Sequence, residues 1–181
     1  MPSWNRIARR IRVPLGFVFA AVYIWLARPT ALSIVVGSVI ASAGLIIRAL
    51  ASGHVKKNEV LTVTGPYAYT RNPLYLGSIV LACGFVIAAR SWWIALIALA
   101  MLVAIYFPVI SSEEAFLRSR FTEYSDYSQH VPRLLPRLHA YQSNSGAFSR
   151  ELYWKHREYN AAVGAALLIG VLIAKIVVLR K

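Results

Sequence analysis

Apolar residues along this chain of 181 run in long, nearly unbroken blocks, with short polar connectors between them. Blocks approaching the ~20 residues that cross a bilayer as a helix predict membrane spans, in which each helix satisfies its own backbone hydrogen bonds. We place five, near Val13 to Ala27, Ala31 to Leu50, Pro73 to Ala89, Trp92 to Ile110 and Ala161 to Val178. Only Arg90-Ser91 separates the third from the fourth, so these two are expected to form a tight antiparallel hairpin that moves as one rigid unit. The expected fold is therefore all-α, a polytopic helical membrane protein of about five transmembrane helices built as a single domain over residues 1–181. Two polar stretches, Ala51 to Asn72 and Ser111 to Asn160, are left to carry chemistry.

Composition agrees, since 58% hydrophobic residues and a mean hydropathy of +0.55 are too apolar for a soluble domain of this size. The basic start (Arg6, Arg9, Arg10, Arg12) before an apolar run also resembles a secretory signal. No small-x-small cleavage site follows, and Trp25 with Arg28-Pro29 reads as a membrane boundary, so the segment is taken as a span. With the N-terminus inside, only Arg28, Arg90, Lys175, Arg180 and Lys181 of the 20 basic residues fall near or beyond the outer face. All seven acids and all four histidines fall on the inner side, so any chemistry is expected to face the cytoplasm.

A net charge of +13 raises nucleic acid as a partner, but the basic residues are scattered and no nucleic-acid module is present. Anionic headgroups of membrane lipids explain the charge more simply. The single cysteine, Cys83, reads as a packing residue within the third span. His54, His130, His139 and His156 are too dispersed for metal spacing, so no metal is expected.

Chemistry concentrates where the polar stretches meet the apolar ones. Gly65-Pro66-Tyr67 and Arg71-Asn72-Pro73-Leu74-Tyr75-Leu76-Gly77 stand at the start of the third span, and Glu113-Glu114 at the end of the fourth. Two neighbouring carboxylates at a lipid boundary repel and lose solvation unless cations or hydroxyl donors are close. Each feature has a plainer alternative. Glu114 and Arg118 are four apart and suit a surface ion pair, Arg71 could snorkel to headgroups, and Asn72-Pro73 could simply cap and start a helix. Tyr67, Tyr69 and Tyr75 suit an interfacial aromatic belt. A helix start also offers free N–H groups to an anion. Ser112 to Phe121, which holds both acids, predicts a short amphipathic helix continuing from the fourth span, Val131 to Pro136 a break, and Arg150 to Tyr159 an interfacial helix before the last span. The core motif region is thus 56–137, followed by the helix and span of 150–181. Gly164 and Gly170 lack the four-residue spacing of a helix dimer, so the oligomeric state stays open.

In order, Gly65-Pro66-Tyr67, Arg71-Asn72-Pro73-x-Tyr75-x-Gly77, Glu113-Glu114, Phe121, Tyr124, Tyr127, Val131-Pro132-Arg133 and Pro136 closely resemble the isoprenylcysteine carboxyl methyltransferase family. That family sits within the small integral-membrane methyltransferases, which include phospholipid N-methyltransferases. The resemblance covers about Lys56 to Arg137 and implies a helical bundle transferring a methyl group from S-adenosylmethionine to a lipophilic or lipid-linked acceptor. It implies a cofactor site of Tyr67, Arg71, Asn72, Pro73, Tyr75, Gly77, Glu113 and Glu114, under a cytoplasmic lid. Arg71, Glu113, Glu114 and Arg133 are the expected catalytic residues, the arginines as partners for a carboxylate of cofactor or acceptor. None of the ten glycines forms a Gly-x-Gly pair, so a soluble nucleotide-binding loop is absent.

Two departures stand out. Many members carry histidine where this chain has Asn72, which cannot titrate near neutrality, and the interval from Phe121 to Tyr127 lacks the usual glycine and is a residue short. The residues leave the acceptor open between a carboxylate, a lipid amine and a thiol. They also leave two other classes open: a nicotinamide-dependent membrane reductase, since sterol reductases resemble this family in their helical cores, and a non-enzymatic membrane adaptor.

Overall fold

The structure is a computed structural model that describes residues 16, 18–56, 59–141 and 146–179. Among these the regular elements are all helical: α1 (18–26), α2 (Ala31–Ser52), a 3-10 turn (Gly65–Ala68), α3 (Pro73–Ala89), α4 (Trp92–Met101), α5 (Phe107–Arg120), α6 (Tyr124–His130), α7 (Arg150–Lys155) and α8 (Tyr159–Leu179). Among the described residues three helices are long and apolar enough to span a membrane: α2, the continuous helix Trp92–Arg120, and residues Tyr159–Val178 of α8. Helix α3 is apolar but shorter, at 17 residues, and the first expected span lies partly outside the described residues.

Helix α2 starts with a capping box, in which Ser33 N–H donates to Thr30 Oγ1 at 3.2 Å and Thr30 N–H to Ser33 Oγ at 2.9 Å. It runs antiparallel to α3 at backbone contact. A Cβ on Gly44 would lie 2.5 Å from Leu81 N, and one on Gly84 2.5 Å from both Gly37 O and Ala41 N. Gly37 and Gly44, like Gly77 and Gly84, are two helical turns apart, so each helix offers a glycine stripe to the other. The expected hairpin is present, with Arg90 turning the chain in the left-handed region at φ 50°. Yet α3 makes its backbone-close packing with α2, because a side chain as small as hydrogen lets two helix backbones meet.

The amphipathic helix expected from Ser112 does continue the fourth span, whose helix begins at Trp92. That helix runs to Arg120 through a widened π turn at Leu102–Tyr106, where Phe107 N–H bonds back to Leu102 O. Pro108 follows, lacks an N–H and crowds the preceding turn, which accounts for the widening. The expected helix from Arg150 to Tyr159 is instead broken after Lys155, with Arg157 left-handed at φ 53°. Tertiary contacts override the local pattern there, as His156 Nδ1 lies 3.1 Å from Ser52 O and Glu158 pairs with Arg48.

Two cores result. Tyr23, Ala27, Ile34, Ala88, Ile94 and Leu172 are buried together where α1, α2, α3, α4 and α8 meet. At the opposite end of α3, Tyr124, Tyr127 and Val131 form a second cluster, flanked by Leu61, Val63, Leu117, Phe121 and Tyr141. Between them lies the polar end of the bundle.

Candidate active site

Residues 131–141 run as a strap along residues 67–72. Arg71 N–H donates to Pro132 O at 3.0 Å, Arg137 N–H to Tyr69 O at 2.9 Å and Tyr141 N–H to Ala68 O at 3.0 Å. The buried Thr70 hydroxyl donates to Leu134 O at 3.0 Å, and Tyr127 OH to Tyr67 O at 2.7 Å. Prolines at 132 and 136 keep the strap out of a helix, so its backbone groups are free for these bonds.

Onto this frame α5 delivers its two acids, one to each side. Glu114 lies between two arginines, with Arg133 Nε 3.1 Å from Oε2 and Arg71 Nε 3.6 Å from Oε1. Its Oε1 also accepts from Asn72 Nδ2 at 3.0 Å, and the same amide donates to Arg133 O at 3.0 Å. Among the described residues the ion partners of Glu114 are thus Arg71 and Arg133, in place of an ion pair with Arg118. Asn72 occupies the cap position of α3, but its side chain makes no cap bond; it is 8% exposed and ties three segments together. An amide can donate twice from one nitrogen to two fixed acceptors without changing charge. Arg133 also donates to Ser111 Oγ at 2.6 Å and lies over the Phe107 ring at 5.9 Å.

Glu113 points the other way and accepts from Tyr75 OH at 2.8 Å. With Tyr67, Arg71, Asn72 and Tyr75 it lines a cavity of about 580 Å³. Val60, Leu61, Phe116 and Leu117 give this cavity an apolar wall, while Arg48, Ser78 and Glu158 stand on its membrane side. Pro73 and Gly77, expected at the cofactor, do not line it. Pro73 is buried as the first residue of α3, and a Cβ on Gly77 would meet Arg48 Cγ at 2.7 Å and Gly44 O at 2.8 Å, so this glycine serves helix packing. Glu114 and Arg133 stand behind the cavity wall and hold it. Cys83, expected to pack, is exposed and lines a separate apolar groove.

Arg48 and Glu158 were not among the expected site residues. Arg48 Nε and Nη2 grip Glu158 through three contacts of 2.6 to 3.1 Å, and Nη1 reaches Ser78 Oγ. The available signal was a charge at the end of an apolar span, which by default calls for a partner.

Burial pushes the Tyr67 hydroxyl well above the usual phenol range, with the nearby charges of Glu113 and Glu158 adding to it. Burial does the same to Tyr127. Both therefore stay neutral while phenols of an unfolded chain ionise near ~10. Their contribution to stability is fully present below that pH and is lost as pH rises above it, because only the unfolded state sheds the proton cheaply. Melting in detergent is expected to hold level up to about pH 10 and then fall. Tyr127→Phe, which strands Tyr67 O, is expected to cost about 1–2 kcal/mol at neutral pH in the same assay.

The comparisons with known proteins come to bear on this site. The family model described as phospholipid methyltransferase matches residues 15–124, more than half of the chain, and takes in α1 to α5 with Tyr67 to Gly77 and both acids. The chain belongs to the phospholipid methyltransferase family. It is similar to the nickel-cobalt-cadmium resistance protein NccN of Alcaligenes xylosoxydans xylosoxydans, at 36% identity over 54% of this chain and 48% of that protein. It is also similar to the cobalt-zinc-cadmium resistance protein CzcN of Cupriavidus metallidurans, at 34% identity over 50% of this chain and 42% of that one. The chain thus spans about half the length, or less, of these curated relatives. No solved structure matches it. Phospholipid methyltransferase membership and three membrane-length helices make the chain an integral membrane protein. The family match stops at residue 124, before the strap, α7, α8 and Glu158.

Proposed function

We propose that this protein is an S-adenosylmethionine-dependent methyltransferase acting on a lipophilic acceptor, with its cavity open to the cytoplasm. The observation that carries the reading is the cavity itself, where one exposed carboxylate oriented by a tyrosine hydroxyl, a guanidinium and an apolar wall converge. That donor set suits the methyl donor. Glu113 takes its hydroxyl or amino groups, Arg71 its carboxylate, and the wall of Val60, Leu61, Phe116 and Leu117 its adenine. The donor supplies a methyl carbon already activated by positive sulfur, so the protein's tasks are alignment and exclusion of water. Tyr75 and Asn72 do the aligning, the first by holding Glu113 and the second by fixing the segment from which Arg71 projects.

Within that reading a carboxyl acceptor, of the isoprenylcysteine type, is one proposal and lipid amines or thiols are the others. Arg71 and Arg133 lend the acid little, because Arg71 is given to the donor's carboxylate and Arg133 stands behind the cavity wall on Glu114. The names of the two relatives concern metal resistance, but among the described residues no cluster of three His, Cys, Asp or Glu could hold a metal ion.

Calorimetric titration of the detergent-solubilised protein is expected to show binding of S-adenosylmethionine and of its demethylated product, and none of NADPH. Binding of NADPH alone would establish the reductase reading, and binding of neither would leave an adaptor. Glu113→Gln is expected to weaken donor binding on the order of tenfold to a hundredfold, as loss of a charge-assisted hydrogen bond does. Its melting temperature should stay unchanged, since Glu113 is exposed and the amide oxygen still accepts from Tyr75 OH.

A further inference from the structure

Beside the polar cavity lies a second one of about 420 Å³, lined almost wholly by apolar side chains of α1, α3, α4 and the π turn, among them Phe19, Ala82, Val86, Leu99 and Leu102. Ser78 and Tyr106 belong to both. The two spaces therefore adjoin at these side chains, the polar one holding Arg71 and Glu113 and the apolar one lying between spans. Arg48 lines the polar cavity beside this boundary, with its charge taken by Glu158 and one further N–H by Ser78, which lines both.

Glu158 comes from outside the part of the chain that the family model matches. It follows Arg157, whose left-handed φ of 53° costs a non-glycine residue free energy. The elements that carry it are lightly held. No residue of α7 is buried, and only 11% of the α8 span is buried within the protein. The acid is 10% exposed and its arginine 22%, so the pair is about as well shielded as Arg71 with Glu114, yet it hangs on the most loosely packed elements. A strained turn between two little-buried helices, held by this ion pair and the His156 contact with Ser52, is suited to letting go.

We propose that Glu158 is a displaceable counter-ion, which holds Arg48 until the anionic head of the acceptor takes its place, with the acceptor's hydrocarbon tail in the apolar groove. The proposal rests on the methyltransferase reading and narrows its acceptor to an anionic amphiphile, a carboxylate above all. Charge complementarity at the junction selects the anion. Arg48 is planar and forked, so it can exchange one carboxylate for another with the same pair of hydrogen bonds. The relaxed turn at Arg157 offsets part of the cost of opening. An amine head would meet the guanidinium of Arg48 as soon as Glu158 moved, and is disfavoured.

The full chain in phosphatidylcholine nanodiscs, without any methyl donor, provides the test. The probes are palmitic acid and the primary amine of the same chain length, each with a diazirine at mid-chain, at mildly alkaline pH where the acid is ionised and the amine still charged. On irradiation the acid is expected to label α3 and α4 around Ala82, Cys83 and Leu99, and the amine to remain at background. Glu158→Gln is expected to lower the half-saturating concentration of the acid about tenfold, since it removes the competing carboxylate. Arg48→Gln should abolish the labelling, and Arg48→Lys, which keeps the charge if the glutamine variant fails to fold, should weaken it. A purely structural ion pair predicts the opposite for Glu158→Gln, with unchanged or weaker labelling and a lower melting temperature. That result, or labelling by the amine at the same residues, overturns the proposal. Titration with S-adenosylmethionine on the same preparations separates the two readings. Acid labelling without donor binding keeps the anion site and ends its role as a methyl-acceptor site, whereas donor binding without acid labelling keeps the methyltransferase and ends the proposal.

Discussion

Glu114→Gln is expected to be the most damaging single change at the polar end of the bundle, lowering stability by about 3 kcal/mol and the proposed methyl transfer by a hundredfold or more. The reason is arithmetic of charge. One carboxylate, 16% exposed, is the counter-ion of two guanidinium groups that are 15% and 33% exposed. The amide that replaces it keeps the shape and an acceptor oxygen for Asn72, but leaves Arg71 and Arg133 facing each other with nothing between them. Breaking a well-buried pair from one side costs ~3–5 kcal/mol, and partial exposure here argues for the lower end. Activity falls further than stability suggests, because Arg71 projects into the cavity and loses its fixed position, and a small displacement of a positioning group is costly. The check is a pair of measurements on both acids. Glu114→Gln should lose melting temperature and donor binding together, whereas Glu113→Gln should lose binding alone. If the two variants behave alike, the division of labour between the neighbouring acids is wrong.

That division shows what was legible in the sequence and what was not. A boundary pair of acids, an arginine, an asparagine and tyrosines at the ends of apolar runs could be read as one polar site, and the structure brings Tyr67, Arg71, Asn72, Tyr75, Glu113, Glu114 and Arg133 together. Their separate tasks could not, because adjacent residues on a helix point about 100° apart and which of them faces the cavity depends on the helix's rotation. Asn72 carried a strong local signal as a cap before a proline. It acts through long-range bonds to Glu114 and Arg133 that no local rule reports. The break at Arg157 was hidden for the same reason, since a short stretch of helical pattern weighs less than the bonds made by His156 and Glu158. The glycine stripes, by contrast, were visible as a seven-residue spacing repeated in two spans. Gly164 and Gly170 carry no such stripe, as a Cβ at either meets nothing within 4 Å.

Those two sets of glycines make a prediction with opposite signs. In a helix, alanine in place of glycine normally stabilises by roughly 0.5–1 kcal/mol, because it removes conformational freedom from the unfolded chain. Gly170→Ala should follow that rule, as its surroundings are open. Gly44→Ala should reverse it and cost about 2–3 kcal/mol. Its Cβ would lie 2.5 Å from Leu81 N, 2.7 Å from Gly77 O and 2.9 Å from Leu81 Cα, all of them backbone atoms that cannot rotate away. The only relief is to move α2 and α3 apart, which strips packing along the full seam, since Gly37 and Gly84 meet by the same backbone contact. The consequence reaches the site. Arg48 lies one turn beyond Gly44 on α2, and Ser78 follows Gly77 on α3, so separating the helices pulls Arg48 from the hydroxyl to which it donates and widens the junction between the polar cavity and the apolar groove. Thermal melting of both variants in the same detergent, with donor titration alongside, is the measurement that decides. Gly44→Ala should melt below the wild type and Gly170→Ala at or above it. A Gly44→Ala protein that gains stability would mean that the two helices do not pack backbone to backbone.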